Sequence, residues 1–97
     1  LIEPLLSDAI TITRIDVYCN ADPTTEPAMA LRFADNFIDR TTPTAIDVIT
    51  TTAGVTAITS GFDDATVPAS NCIYLDMTAQ PEAALTQITV KITYTVD

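Results

Sequence analysis

The sequence predicts an all-β protein: an antiparallel β-sandwich or jelly roll of roughly six to eight short strands. Three observations carry this. First, the stretch at 85–96, LTQITVKITYTV, alternates Ile88, Val90, Ile92, Tyr94 and Val96 with Thr89, Lys91, Thr93 and Thr95. Strict period two with β-branched and aromatic residues on one side describes a strand with one face in a core and one in water. Second, further β-rich runs recur between clusters of Pro, Asn, Asp and Thr at near-regular spacing. Third, no segment joins a 3.6-residue apolar period to a helix cap, and no internal repeat points to a solenoid.

Taken in order, residues 1–8 contain Pro4 and the apolar residues Leu1, Ile2, Leu5 and Leu6. They read as an arm that packs on the domain or on a neighbour, ahead of a single domain at 9–97. The chain does not begin with Met, and LIEPLL reads as a cleavage scar or a linker. AITITRIDVYCN at 9–20 is the first strand. Ile10 and Ile12 point one way and Ile15, Val17 and Cys19 the other, so the phase flips near Thr13–Arg14. That flip predicts a bulge, or a bend where the strand crosses between sheets. NADPTTEP at 20–27 is turn chemistry.

AMALRFA at 28–34 alternates Met29, Leu31 and Phe33 with Ala30 and Arg32. Strand is preferred over a competing helical stripe of Leu31, Ala34 and Ile38. Phe37 and Ile38 resume the run, and 40–43 is a turn. TAIDVITT at 44–51 is a strand with Ile46 and Val48 facing the core. Val55 and Ile58 mark a short strand, and GFDDATVPAS at 61–70 reads as loop. NCIYLDMT at 71–78 carries Ile73, Leu75 and Met77 on one face. AQPEAA at 79–84 is a turn, and the terminal strand follows.

Composition narrows function. Thirteen acids against four bases give a net charge of −9. That balance opposes nucleic-acid binding, which needs a basic footprint on phosphate, and opposes attraction to anionic membranes. No run approaches the roughly 20 apolar residues of a membrane helix. With no His, imidazole metal sites and Ser-His-Asp or Cys-His catalysis are excluded. Gly54 and Gly61 are isolated and have no Lys nearby, so no phosphate loop exists. Lys91, the only lysine, reads as a solubilising edge charge rather than a catalytic amine.

Cys19 and Cys72 look toward opposite faces, so two unpaired thiols behaving as small apolar residues are preferred over a disulfide between them. Paired carboxylates without Trp platforms do not make a glycosidase cleft. No catalytic residue is assigned, and the chain is expected not to be an enzyme. Loop carboxylates can hold Ca²⁺. Asp63 and Asp64, with Asn20 and Asp22 as further donors, are the candidate metal ligands, weighed against a solvated acidic loop. No other cofactor is expected. The row Thr89, Thr93 and Thr95 has no repeat to tile an ice-binding plane.

The C-terminal half, VPASNCIYLDMTAQPEAALTQITVKITYTVD, resembles the end of small β-sandwich proteins of tailed-phage virions: capsid decoration, head-fibre and tail-appendage modules. A Pro-Ala-polar turn at Val67–Ser70, a short apolar strand at Cys72–Met77 and a long alternating strand at Gln87–Val96 match in order. ITRIDVYCNADPT is similar in character. The resemblance covers about half the chain and transfers no site residue. It implies a non-enzymatic structural role in a virion, with many copies binding one another or other virion proteins. Leu1, Ile2, Leu5, Leu6 and the exposed end of the last strand would make the assembly contacts, and a homo-oligomer is expected. The alternative is an extracellular carbohydrate- or protein-binding sandwich, supported by Ca²⁺, that reads its ligand through the 20–27 and 61–68 loops.

Overall fold

The computed structural model describes residues 5–21, 29–36, 43–50, 53–77 and 85–97. They form seven strands: β1 (Ile10–Cys19), β2 (Met29–Ala34), β3 (Thr44–Ile49), β4 (Gly54–Ile58), β5 (Thr66–Val67), β6 (Cys72–Met77) and β7 (Ile88–Val96). Every pairing is antiparallel, and the strands make two sheets. In the first, β1 is central. β7 runs along its whole length on one side, while β5 at Ile10–Thr11 and β4 at Ile15–Cys19 share the other. In the second, β2 is central between β3 and β6. One cluster of buried side chains from both sheets fills the space between them, so the fold is the small β-sandwich that the alternation predicts.

The phase flip in β1 is a bulge. The register with β7 shifts between Ile12 and Arg14, leaving Thr13 as the extra residue. The strand does not cross to the other sheet. The bulge instead keeps Ile10 and Ile12 on the same core face as Ile15, Val17 and Cys19, and all five are buried. Thr13 turns outward and its hydroxyl donates to the Thr93 carbonyl at 3.2 Å. The same site marks where β1 changes neighbours from β5 to β4, as the extra twist at a bulge allows.

A second bulge corrects one expected core position. The β2–β3 register shifts between Leu31 and Arg32, and Ile46 is the unpaired residue. Ile46 is fully buried, but Val48 is 52% exposed and Ile49 takes the core position instead. Alternation alone puts Val48 inside, because one inserted residue reverses every side chain after it. Residues 61–70 also differ from a plain loop. Thr66 and Val67 pair with β1, and Val67 is buried.

The arm from Leu5 onward lies on its own domain. The Leu6 N–H donates to the Asn71 carbonyl at 2.9 Å, and Ser70 returns a bond to the Leu6 carbonyl at 2.8 Å. The Leu6 side chain packs against the core cluster. These bonds hold Ser70 at φ 63°, a left-handed conformation usually left to glycine. Both thiols are free and buried. Cys19 is in the core, while Cys72 pairs with Ala34 in register with the outward residues Tyr74 and Asp76.

The bulge geometry sets a test. Deleting Thr13 leaves Ile10, Ile12 and Ile15 in unbroken alternation, so the deletion is expected to keep cooperative thermal unfolding. Deleting Asp16 from the same strand sets Ile15 and Val17 on opposite faces and is expected to abolish folding. Circular dichroism melts check both, and an unfolded Thr13 deletion would show that the bulge itself is required.

Candidate functional site

Two regions of the sandwich carry features beyond packing. The first is the acidic patch where the 59–65 loop meets β3. The Asp64 N–H donates to the Ile46 carbonyl at 3.1 Å, seating the loop on the bulged part of β3. The Asp64 carboxylate accepts from the Thr66 N–H at 3.2 Å, a local Asx bond that starts β5. Asp63 is exposed. Asp47, on β3, is half-buried, and its pKa is raised. Desolvation is the main cause, the Val48 backbone bond opposes it, and the nearby Asp63 charge adds to it.

The candidate Ca²⁺ ligands are not brought together. Asp64 is occupied with its own backbone turn, and Asn20 is occupied elsewhere. The Asn20 Oδ1 accepts from the Thr86 N–H at 2.9 Å and the Gln87 N–H at 2.8 Å, while its Nδ2 donates to the Thr86 hydroxyl at 3.1 Å. Asn20 is a clasp that ties the end of β1 to the start of β7. Asp22 lies outside the described residues. Among the described residues no three His, Cys, Asp or Glu side chains are grouped to hold a metal ion. Sequence reasoning missed the clasp, although an Asn just past a strand end is the residue type that bonds nearby backbone.

The second region is the open edge of β7. Among the described residues, β7 pairs only with β1. Its core-facing row starts half-buried at Ile88, Val90 and Ile92, then emerges at Tyr94 and Val96, which are 52% and 62% exposed. Tyr94 and Val96 sit opposite the buried Ile12 and Ile10, so they belong to the apolar face yet are uncovered. On the outer face, Lys91 lies opposite Asp16. Arg14 hydrogen-bonds Asp16 at 2.9 Å and, with help from Lys91, lowers its pKa. At the far end the Thr11 hydroxyl donates to the Asp97 carboxylate at 2.7 Å. Of the arm residues proposed as assembly contacts, Leu5 and Leu6 are half-buried, with Leu6 against its own core. Leu1 and Ile2 lie outside the described residues.

Compared with protein-family models, with curated proteins and with solved structures, the chain matches none.

The clasp and the acidic patch each generate a test. Asn20→Ala leaves the Thr86 and Gln87 amides to water and is expected to cost about 1–2 kcal/mol in urea melts. Asn20→Asp, which keeps the acceptor, is expected to cost less. For Asp47, a folded pKa above the unfolded value means that its contribution is favourable at acid pH and is lost as pH rises through the folded pKa. Asp47→Asn is therefore expected to raise Tm at neutral pH by a few degrees at most, since 1 kcal/mol is worth about 4–8 °C in a domain of this size. The gain should vanish below the carboxylate range. A constant offset across pH would assign the effect to packing instead.

Proposed function

We propose that this chain is a non-enzymatic structural protein of a virus particle, a phage sandwich module that self-associates or decorates a capsid or tail. The observation that carries the reading is the edge of β7. A nine-residue strand whose second side is open among the described residues, with an exposed apolar end, has the equipment for strand addition. The resemblance of the C-terminal half to phage virion sandwiches supports the same role, and this strand is one of the three segments that carry it. Charge is compatible with it. In a chain of net charge −9, residues 83–96 contain no carboxylate and one cation, so two copies meeting along this strand bring few like charges together.

The alternative, a Ca²⁺-supported binding module, would use the Asp63–Asp64 loop. Asp63 and Asp47 are near enough to raise the Asp47 pKa, and a cation between them would relieve that repulsion.

Light scattering after size exclusion, in Ca²⁺ and then in EDTA, separates the two. The structural reading expects an oligomer whose mass ignores EDTA. A 10.4 kDa monomer whose Tm falls in EDTA would overturn it in favour of the binding module.

A further inference from the structure

We propose that β7 pairs antiparallel with the β7 of a second copy, with Ile92 on the two-fold axis, so that two first sheets fuse into one continuous sheet. This rests on the self-associating form of the structural role above, and it names the partner and the register.

The backbone fixes which residues are available. The Asn20 N–H donates to the Gln87 carbonyl, and the Asp97 N–H donates to the Ala9 carbonyl. Gln87 and Asp97 thus aim their backbone groups at β1 from the two ends of β7. The extra residue of the bulge is on β1, so β7 alternates without interruption between them. Thr89, Lys91, Thr93 and Thr95 therefore also bond β1, and the Thr13 hydroxyl reaching the Thr93 carbonyl agrees. Ile88, Val90, Ile92, Tyr94 and Val96 must aim their N–H and C=O groups at the open edge. These are also the residues of the apolar face.

Ile92 is the midpoint of Ile88–Val96. Rotation about it sets Ile88 opposite Val96 of the second copy, Val90 opposite Tyr94, and Ile92 opposite itself. Every outward backbone group then meets an outward group, which satisfies the antiparallel pattern along the full strand. The exposed Tyr94 and Val96 gain apolar partners in Val90 and Ile88. On the outer face Thr89 meets Thr95, and Lys91 meets the neutral Thr93. A register centred on Lys91 would oppose two like charges and leave the Val96 end unpaired.

The other edges suit this pairing less well. β3 and β6 are six residues long and carry Asp47 and Asp76. β4 is five residues long and starts at Gly54, and β5 has two residues.

The register is tested by disulfide trapping. Lys91 and Thr93 of two copies would form a pair without mutual backbone bonds, with Cα atoms about 4.5 Å apart, inside the disulfide range of about 4.4–6.8 Å. Lys91→Cys and Thr93→Cys are made singly, and both positions are exposed. Under mild oxidation an equimolar mixture is expected to yield covalent dimer, several-fold above either variant alone, on non-reducing gels. Native Cys19 and Cys72 are buried and supply the background control. Tyr94→Pro removes an edge-facing N–H and an exposed ring while leaving the bonds to β1 in place, and is expected to melt cooperatively yet run as a monomer. Dimer from Lys91→Cys alone would overturn the register. An EDTA-indifferent oligomer unchanged by Tyr94→Pro, with no mixed disulfide, would overturn β7 pairing while leaving the structural role standing. A monomer at every concentration would overturn the pairing, and EDTA-sensitive stability in that monomer would remove the structural role as well.

Discussion

The β1–β7 ladder is the constraint on which the rest of the molecule depends. β1 is bounded on one side by β7 throughout and on the other by β5 and then β4. It supplies Ile10, Ile12, Ile15, Val17 and Cys19 to the core, each at most 4% exposed. The Thr13 bulge sits where this ten-residue strand changes neighbours, and it keeps the residues on both sides of it in the core. Because β1 opens the sandwich and β7 closes it, this ladder joins residues nearly the whole chain apart. Its closure entropy has to be met before most of the core can form, which favours slow folding.

Both ends of the ladder are fastened by hydrogen bonds in addition to packing. Asn20 holds Thr86 and Gln87 at one end, and Thr11 and the Ala9 carbonyl hold Asp97 at the other. The packing beneath β7 is uneven along its length. Ile88, Val90 and Ile92 reach the core cluster, but Tyr94 and Val96 do not. The bonds to Asp97 therefore hold the end of β7 that the core does not cover, and the same end gives the edge its apolar surface.

Much of the fold was legible because period two is a direct consequence of the pleat. The strands around Ile15, Leu31, Leu75 and Ile92 stand where alternation put them, and the two cysteines face apart as their phases required. Bulges divide the legible from the illegible. The one at Thr13 was visible because apolar residues flank it on both sides and betray the flip. The one at Ile46 was hidden, since Ile46, Val48 and Ile49 are all apolar and the sequence alone could not choose between the last two. β5 was missed for another reason. Two residues beside Pro68 carry no periodicity, and only the partner strand makes Thr66–Val67 a strand. In the site regions, the acidic loop was visible as chemistry, but its geometry was not. Whether Asp64 turns to a metal or to the Thr66 amide depends on a loop seated by the Ile46 carbonyl.

Lys91 shows how a single charge can both guard an edge and specify its use. A lysine on an exposed strand discourages edge-to-edge pairing, because its charge must be kept solvated or matched as a neighbour approaches. Here its own ladder gives it Asp16 on the β1 side, and Arg14 keeps that carboxylate ionised. Asp16 is ion-paired with Arg14 and offsets the Lys91 charge only in part. What the strand that arrives on the open side must not supply is a second lysine directly opposite. Of the symmetric alignments of β7 on itself, the one centred on Ile92 meets that condition and also spans the whole strand. In the proposed pairing Lys91 disfavours the register centred on itself, and spanning the whole strand is what singles out the register centred on Ile92.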